Sequence, residues 1–332
     1  MLDQQKKHGI ASSNSSRLGG IVIFFSLMAY LAVSPYVNQT FSGRLLQAEE
    51  QLIVDYGLLA LLIALVGFAD DLRQGITPSF RMLLLFAISF FGFYMNPQWI
   101  PGRFFVEVLG WLEVPFFFLL LATSFVLIGF VNAGNMVDGA NGLLGSIAVA
   151  HSLLAYDVTG SYYFLALALA TASFVLVNVT TPRIILGDFG AYGLGAIIAL
   201  SSFHLYQVYE LNVWFFAAML TYPCLEILRI ITVRLIMRRS PLVADNQHIH
   251  NKMHSALLGF GIGSFAANSI TGLFLGWIFS GAAFLLHYSG ALLATNEGWG
   301  QLFLVNILIF LVLWALIEFL TRPNSKAVEQ GS

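Results

Sequence analysis

The stretch Asn132–Leu143, NAGNMVDGANGL, places three Asn, one Asp and three Gly between two long apolar runs. A charged side chain within a membrane helix costs about 2.5–3.5 kcal/mol on insertion scales, and buried amides need replacement hydrogen-bond partners. Asn135 and Asp138 are three residues apart, would share a helix face, and carry the hard oxygen ligands that Mg²⁺ prefers. Helix capping by Asp138 or Asn141 would explain one polar residue but not the cluster, so the stretch predicts a functional site.

Two adjacent carboxylates, Asp70 and Asp71, close the apolar run LVGFADD. Adjacent carboxylates repel each other, which favours a bound divalent cation or a raised pKa on one of them. The alternative is a solvated helix end with Arg73 as its neighbour, although acidic residues at a helix C-terminus oppose the helix dipole. The pair is therefore a second candidate for site chemistry.

A third acidic residue, Asp188, lies in LGDFGAYGLG at the start of another apolar run. There it could ligate a metal ion beside phosphates, or it could simply cap a helix. The motif is common by chance, but Asn178 and Arg183 lie nearby in the sequence. These neighbours favour the functional interpretation.

A histidine pair, His248 and His250, lies in RRSPLVADNQHIHNKMH, with His254 further on. A zinc site is one interpretation of His-x-His, but no third ligand with suitable spacing is evident. Phosphate binding fits better, because His, Arg and Lys side chains all donate to phosphate oxygens. Positive charge on the cytoplasmic side explains Arg238 and Arg239 but not the histidines.

The composition predicts an all-α, polytopic membrane protein with about ten transmembrane helices. Hydrophobic residues make up 58% of the 332 residues and charged residues 10%, against about 25% charged residues in a soluble domain. One integral-membrane domain is predicted over residues 1–332, with its core at 17–321. The single cysteine, Cys224, excludes an internal disulfide. The predicted spans are Leu18–Ser34, Leu52–Ala69, Ser79–Met95, Val114–Val131, Leu143–Tyr156, Ser161–Val179, Phe189–Tyr206, Asn212–Leu235, Gly259–Tyr288 and Leu302–Leu320, with a short turn at Asp157–Gly160 after the fifth.

Lys and Arg are distributed unevenly over the predicted loops. If the N-terminus is cytoplasmic, 13 of the 15 basic residues fall on or near that side, and 2, Arg44 and Arg103, fall on the other. The positive-inside rule therefore predicts that both termini are cytoplasmic. All four polar clusters then lie on the cytoplasmic face, which predicts one active site built from four loops. His151, His204 and His287 lie away from that face and are predicted to be packing or interfacial residues.

In chain order the motifs read DD, NxxNxxDGxxGL, GDxG and HxH, and together they resemble the polyprenyl-phosphate N-acetylhexosamine-1-phosphate transferase family (the MraY/WecA type, glycosyltransferase 4 family). The histidine motif is more similar to the WecA-like branch, which initiates O-antigen and related glycans, than to the peptidoglycan branch with its run of three histidines. The resemblance covers Arg17 to about His254, and Arg17–Gly20 matches the family's RxGG. It implies transfer of a sugar-1-phosphate from a UDP-sugar to undecaprenyl phosphate, with release of UMP.

The resemblance also implies a magnesium cofactor, with Mn²⁺ as a second candidate. Asn135 and Asp188 would hold the metal ion that bridges the diphosphate. The catalytic carboxylates would be Asp70, Asp71 and Asp138, and Asp70 would act as a base or orient the lipid phosphate.

Substrate contacts are implied for the remaining motif residues. Asn141 would contact the uracil, and His248 and His250, with Arg81, would bind phosphates or the sugar. The loop reads HIHN, ending at Asn251, where the family usually has HIHH, and ADN where a PDR-like triplet is common. The loop therefore leaves open whether the sugar is GlcNAc or a related amino sugar. The family's usual span before RxGG is missing from the sequence, so a truncated or misassigned start is expected.

Two other classes of function remain open from the sequence. Many spans, intramembrane polar residues and glycines are also marks of a transporter, and the altered loop would suit an inactive, truncated family member. The predicted partners are undecaprenyl phosphate, a UDP-amino sugar and the lipid bilayer; a homodimer is left open, and a net charge of −2 gives no indication of nucleic-acid binding. The predicted location is the bacterial inner membrane.

Overall fold

The computed structural model describes residues 15–41, 47–73, 76–106, 110–238, 240 and 247–321. Within these ranges the chain forms thirteen α-helices and one short hairpin, which confirms the all-α prediction. The first helices are α1 (Gly19–Phe41), α2 (Gln47–Arg73) and α3 (Pro78–Met95), and the antiparallel hairpin joins β1 (Arg103–Val106) to β2 (Gly110–Glu113). The later helices are α4 (Phe116–Val137), α5 (Leu143–Thr159), α6 (Tyr162–Thr180), α7 (Gly187–Val208), α8 (Val213–Met219), α9 (Thr221–Ile236), α10 (Ile249–Gly259), α11 (Ser264–Trp277), α12 (Ser280–Tyr288) and α13 (Trp299–Leu320).

Each of the ten predicted spans coincides with a helix or with a bent pair of helices. Among the described residues, five helices are long and apolar enough to cross a membrane, and the count reaches seven when the pairs α8/α9 and α11/α12 are each one span. A multi-pass membrane protein is therefore confirmed, while the number ten stays a prediction. The start of the predicted turn after the fifth span was wrong, because α5 continues through Asp157 to Thr159 and Gly160, with φ +69°, caps its end.

Helix α7 lies at the centre of the bundle and packs against α1, α2, α4 and α5. Nearly every residue from Gly187 to Leu205 is buried. Helix α1 approaches so closely that a β-carbon on Gly20 would lie 2.2 Å from the Cα of Gly190. Small residues permit such close approach in membranes, where packing replaces the hydrophobic effect between helices. The first turn of α7 is thereby held among neighbouring helices.

A bend of 76° separates α8 from α9. Pro223, in the first turn of α9, has no N–H for the carbonyl group of Met219 four residues earlier. That carbonyl oxygen instead accepts a hydrogen bond of 2.7 Å from Ser280 Oγ, and the carbonyl oxygen of Ala218 accepts one of 3.0 Å from Asn306 Nδ2. Side chains from α12 and α13 therefore satisfy the backbone at the bend, as membrane-embedded backbone requires.

Candidate active site

Two adjacent carboxylates at the end of α2 have different surroundings. Asp71 is buried, and its Oδ1 accepts a hydrogen bond of 2.8 Å from Arg17 Nη1. Its Oδ2 accepts one of 3.1 Å from the backbone N–H of Phe189, in the first turn of α7, where helix N–H groups favour an anion. Asp70 is ion-paired with Arg81 at 2.6 Å. Asp71 is thus tied into the helix packing, whereas Asp70 meets one side chain from α3, that of Arg81.

The chain before α1 places Arg17 beside Asp71. The backbone N–H of Ser16 donates to the carbonyl oxygen of Arg183 at 2.9 Å, and the N–H of Ile185 donates back to the carbonyl oxygen of Ser16 at 2.9 Å. This bridge joins the RxGG segment to the chain that leads into α7. The side chain of Arg183 itself is exposed, so its predicted support of the site comes from its backbone rather than its charge.

Asp138 and Asp188 complete one acidic cluster with the α2 carboxylates. Asp138 ends α4, and Asp188 lies in the first turn of α7. Asp138 keeps part of its surface accessible, yet the surrounding protein raises its pKa well above the ordinary value, and the negative charges of Asp188 and Asp71 raise it further. The Arg17 guanidinium opposes this effect. The structure therefore brings together three of the four clusters that the sequence singled out.

The charge of this cluster suits a divalent cation. Four carboxylates against the two guanidinium groups of Arg17 and Arg81 leave a net charge of −2 if all are ionised. In the part of the chain that the structure describes, no three His, Cys, Asp or Glu side chains converge as a preformed metal cage. Mg²⁺ does not need one, because it binds through one or two protein groups together with substrate phosphates and water. Asp188, with Asn135 on the last turn of α4, fits this donor set.

Asn141 lies in a network of amides beside the acidic cluster. Its backbone N–H donates to Asn268 Oδ1 at 2.9 Å, and its side-chain amide reaches Ser269 Oγ at 3.4 Å. Asn178 Oδ1 accepts from the N–H of Gly142 at 2.6 Å, and its Nδ2 donates to a backbone carbonyl at 2.8 Å. Asn178 and Asn268 therefore hold the backbone of the asparagine stretch in place. Sequence reasoning missed Asn268, although a lone Asn in an apolar span was the signal for it.

The histidine segment meets the asparagine stretch directly. A β-carbon on Gly139 would lie 2.2 Å from Nε2 of His250, so the imidazole rests on the backbone beside Asp138. The ring of His248 stacks on that of His250, with centroids 5.1 Å apart and planes 6° apart. Tyr222 Oη lies 3.3 Å from His250 Nδ1. All four predicted clusters thus converge at one end of the bundle.

Burial makes His250 a neutral residue. Burial and, to a smaller extent, the neighbouring His248 lower the pKa of His250 to about 3. His250 can therefore donate one N–H to a substrate but cannot contribute positive charge. His254 lies apart from the pair, with Nε2 3.2 Å from the carbonyl oxygen of Ser264, so it joins α10 to α11. The ADN triplet, residues 244–246, lies outside the described residues.

Two charged residues on α9 are the largest omission of sequence reasoning. Glu226 is fully buried and forms a bidentate pair with Arg229, at 2.7 and 3.0 Å. Oε1 of Glu226 also lies 3.1 Å from Nδ1 of His248 and accepts from the backbone N–H of Ile249 at 3.1 Å. In the sequence, Arg229 counts only as one of the 13 basic residues on or near the predicted cytoplasmic side. A lone acid inside an apolar span was the available signal for Glu226.

Tyr192 is a further buried residue at the acidic cluster. It is fully buried, the guanidinium of Arg81 lies 5.9 Å from its ring centroid, and its hydroxyl has no hydrogen-bond partner among the described residues. The histidines predicted to be packing residues lie elsewhere. His151 bonds Ser202 at 3.0 Å, and His287 pairs with an aspartate on α5 at 3.2 Å.

Comparisons with known proteins agree with the motifs. Residues 54–206 match the model of glycosyl transferase family 4. The phospho-N-acetylmuramoyl-pentapeptide-transferase of Streptococcus pyogenes serotype M6 is 29% identical over 223 residues, which cover 64% of this chain and 65% of the relative. The enzyme of the same name from Carboxydothermus hydrogenoformans is 29% identical over 219 residues, which cover 58% of this chain and 63% of that relative. The chain therefore spans a little under two thirds of the length of these relatives, and both comparisons support glycosyl transferase family 4 as its family.

Proposed function

We propose that this chain transfers a HexNAc-1-phosphate, from UDP-GlcNAc or a related UDP-amino sugar, to undecaprenyl phosphate and releases UMP. The reaction would initiate a cell-surface glycan, such as O-antigen lipopolysaccharide, at the cytoplasmic face of the bacterial inner membrane. The observation that supports this most is the convergence of the four clusters, in which Asp71 joins α2 to α7 and His250 rests on Gly139. Such a site can hold a diphosphate beside a lipid head group.

The chemistry is a phosphoryl transfer. A lipid-phosphate oxygen attacks the phosphorus that bears the sugar, the bond from that phosphorus to the bridging oxygen breaks, and UMP leaves with the electron pair. Asp70 is the carboxylate for orienting or deprotonating the lipid phosphate, because Asp71 is already committed to Arg17 and to the Phe189 N–H. Positioning and neutralisation of charge carry most of the rate enhancement in such reactions.

Asn135 and Asp188 would hold Mg²⁺ (or Mn²⁺), which supplies neutralisation of the diphosphate charge when bound. Asp138, at the C-terminal end of α4, would complete the acidic cluster. Burial and then the negative charges of Asp188 and Asp71 raise its pKa, and a divalent cation would offset the repulsion from those charges.

The substrate groups would lie on opposite sides of the asparagine stretch. Asn141 would contact the uracil, beside the amides that hold its backbone. Arg81, His248 and His250 would contact the phosphates and the sugar, since His250 reaches the backbone next to Asp138. A neutral His250 suits hydrogen bonding to a sugar hydroxyl or phosphate oxygen rather than charge neutralisation.

A second candidate donor is UDP-N-acetylmuramoyl-pentapeptide, because that substrate type is in the name of both relatives. The histidine segment, HIHN from His248 to Asn251, favours the smaller amino sugar. A transporter is less well supported, since transporters bind substrate near the bilayer midplane and these clusters meet at one end of the bundle.

One assay separates these possibilities. The purified chain is incubated with undecaprenyl phosphate, Mg²⁺ and, in separate reactions, UDP-GlcNAc, UDP-GalNAc or UDP-N-acetylmuramoyl-pentapeptide. UMP and the lipid product are then measured. We expect turnover with an amino-sugar donor and loss of turnover in Asp188→Ala and Asp70→Asn. Turnover only with the pentapeptide donor would select the second candidate, and no turnover with any donor would overturn the transferase proposal.

A further inference from the structure

The Glu226 carboxylate receives more hydrogen bonds than an ion pair requires. Arg229 alone would neutralise it, through Nε to Oε2 and Nη2 to Oε1. Oε1 also accepts from the Ile249 N–H and lies 3.1 Å from His248 Nδ1. Buried ion pairs are weak sources of stability because desolvation offsets their attraction. The arrangement therefore calls for a role other than stability.

Glu226 and Arg229 form hydrogen bonds with the backbone of the histidine segment on both sides of His248. Arg229 Nη2 donates to the carbonyl oxygen of Gln247 at 2.8 Å, one residue before it. Glu226 accepts from the N–H of Ile249, one residue after it. The backbone on each side of His248 is thus fixed by one partner of the same ion pair.

The carboxylate also defines the tautomer of His248. An ionised carboxylate only accepts hydrogen bonds, so Nδ1 of His248 must carry the proton that faces Glu226. Nε2 is left as the ring nitrogen for a substrate. Carboxylates orient metal-bound and catalytic histidines in the same way, by fixing the tautomer and the ring plane.

The orientation of the His248 ring also determines the position of His250, because the two rings are stacked. His248 lies parallel to His250, and His250 Nε2 lies against Gly139, beside Asp138. We infer that Glu226 is a positioning residue, which holds His248 and, through the ring stack, His250 in the orientation that binds substrate. The identity of the substrate rests on the proposed transferase function, whereas the orientation of the two rings does not depend on it.

Helix α13 packs against both α9 and α10. The guanidinium of Arg229 lies 5.4 Å from the ring centroid of Trp314, and Trp314 Nε1 donates to Glu318 Oε1 at 3.1 Å. Glu318 is also ion-paired with Lys252 on α10. Glu318 thus contacts α10 without touching either histidine, so it provides a matched control.

A double-mutant cycle tests the inference. UMP release is measured for wild type, Glu226→Gln, His248→Ala and the double variant, with Glu318→Gln as the control carboxylate. We expect Glu226→Gln to lower kcat/KM about 10–100-fold, as is typical when the partner of a functional histidine is removed, and to lower it less than about 2-fold further in the His248→Ala background. Equal losses in both backgrounds, no loss, or an equal loss in Glu318→Gln would overturn the inference.

A second measurement does not depend on turnover. Protein labelled with ¹⁵N-histidine is studied by NMR in detergent, and the His248 signal is assigned by its absence in His248→Ala. We expect an Nδ1-protonated ring in wild type and in Glu226→Asp, and a changed tautomer mixture in Glu226→Gln. An Nε2-protonated neutral ring in wild type would overturn the inference. Absence of UMP release from wild type with every donor would instead overturn the proposed function and leave this test intact.

Discussion

His250 Nε2 occupies the space next to Gly139 that a side chain at that position would need, since a β-carbon there would lie 2.2 Å away. This contact is where the histidine segment of α10 meets the end of α4. It explains why the asparagine stretch carries glycine directly after Asp138. A side chain at residue 139 would force the buried imidazole away from the acidic cluster.

Gly139→Ala should therefore reduce activity sharply. Displacing a packed side chain typically costs about 1–3 kcal/mol, and here the displaced group is a proposed substrate ligand. We expect UMP release to fall at least about tenfold, with a lower melting temperature. The matched control is Gly129→Ala on α4, where a β-carbon would meet nothing within 4 Å. Equal activity of the two variants would contradict the contact between Gly139 and His250.

Substitution of Asp71 should mainly lower stability, whereas substitution of Asp70 should mainly lower activity. Asp71→Asn removes the charge that pairs with Arg17 at a buried position, and we expect the free energy of unfolding to fall by about 1–3 kcal/mol. Asp70→Asn should cost less stability but lower turnover about 10²-fold or more if Asp70 orients or deprotonates the lipid phosphate. Thermal unfolding and UMP release of both variants check this. A larger loss of stability in Asp70→Asn and a larger loss of turnover in Asp71→Asn would mean that Asp70 is the structural carboxylate and Asp71 the catalytic one.

The sequence was sufficient to locate the clusters but not to divide their roles. Polar residues beside apolar runs are costly in a membrane, so composition alone singled out the stretches around Asp70, Asp138, Asp188 and His248. Neighbouring residues on a helix point about 100° apart. Which of Asp70 and Asp71 faces α7 therefore depends on the rotation of α2, which only packing decides.

Contacts between residues far apart in the sequence could not be predicted either. Glu226 is a single acid within an apolar run, and its histidine partner follows 22 residues later, after a segment of no regular pattern. The predicted spans located their helices well because apolar runs of this length have few alternatives. The bend before Pro223 could be suspected from the proline, but the Ser280 hydroxyl that stabilises it comes from a different helix.

Tyr192→Phe and Tyr222→Phe should change stability in opposite directions. The Tyr192 hydroxyl is buried without a hydrogen-bond partner among the described residues, so its removal should raise the free energy of unfolding by about 1 kcal/mol. The Tyr222 hydroxyl lies 3.3 Å from His250 Nδ1, so its removal should lower that free energy by about 1 kcal/mol. Both are measured by thermal unfolding without substrates. A loss of stability in Tyr192→Phe would reveal a partner for its hydroxyl.

The buried, neutral His250 should make stability depend on pH in a defined direction. Its pKa is about 3 in the folded protein and about 6.5 when unfolded, so below pH 6.5 the unfolded chain binds a proton that the folded protein does not. Its contribution is therefore fully present above pH 6.5 and is lost as pH falls toward 3, at up to about 1.4 kcal/mol per pH unit. Thermal unfolding between pH 8 and 5 should show this loss in wild type and a smaller one in His250→Gln. Identical pH dependence of the two proteins would mean that His250 is not held neutral, and its place against Gly139 would then have to accommodate a charge.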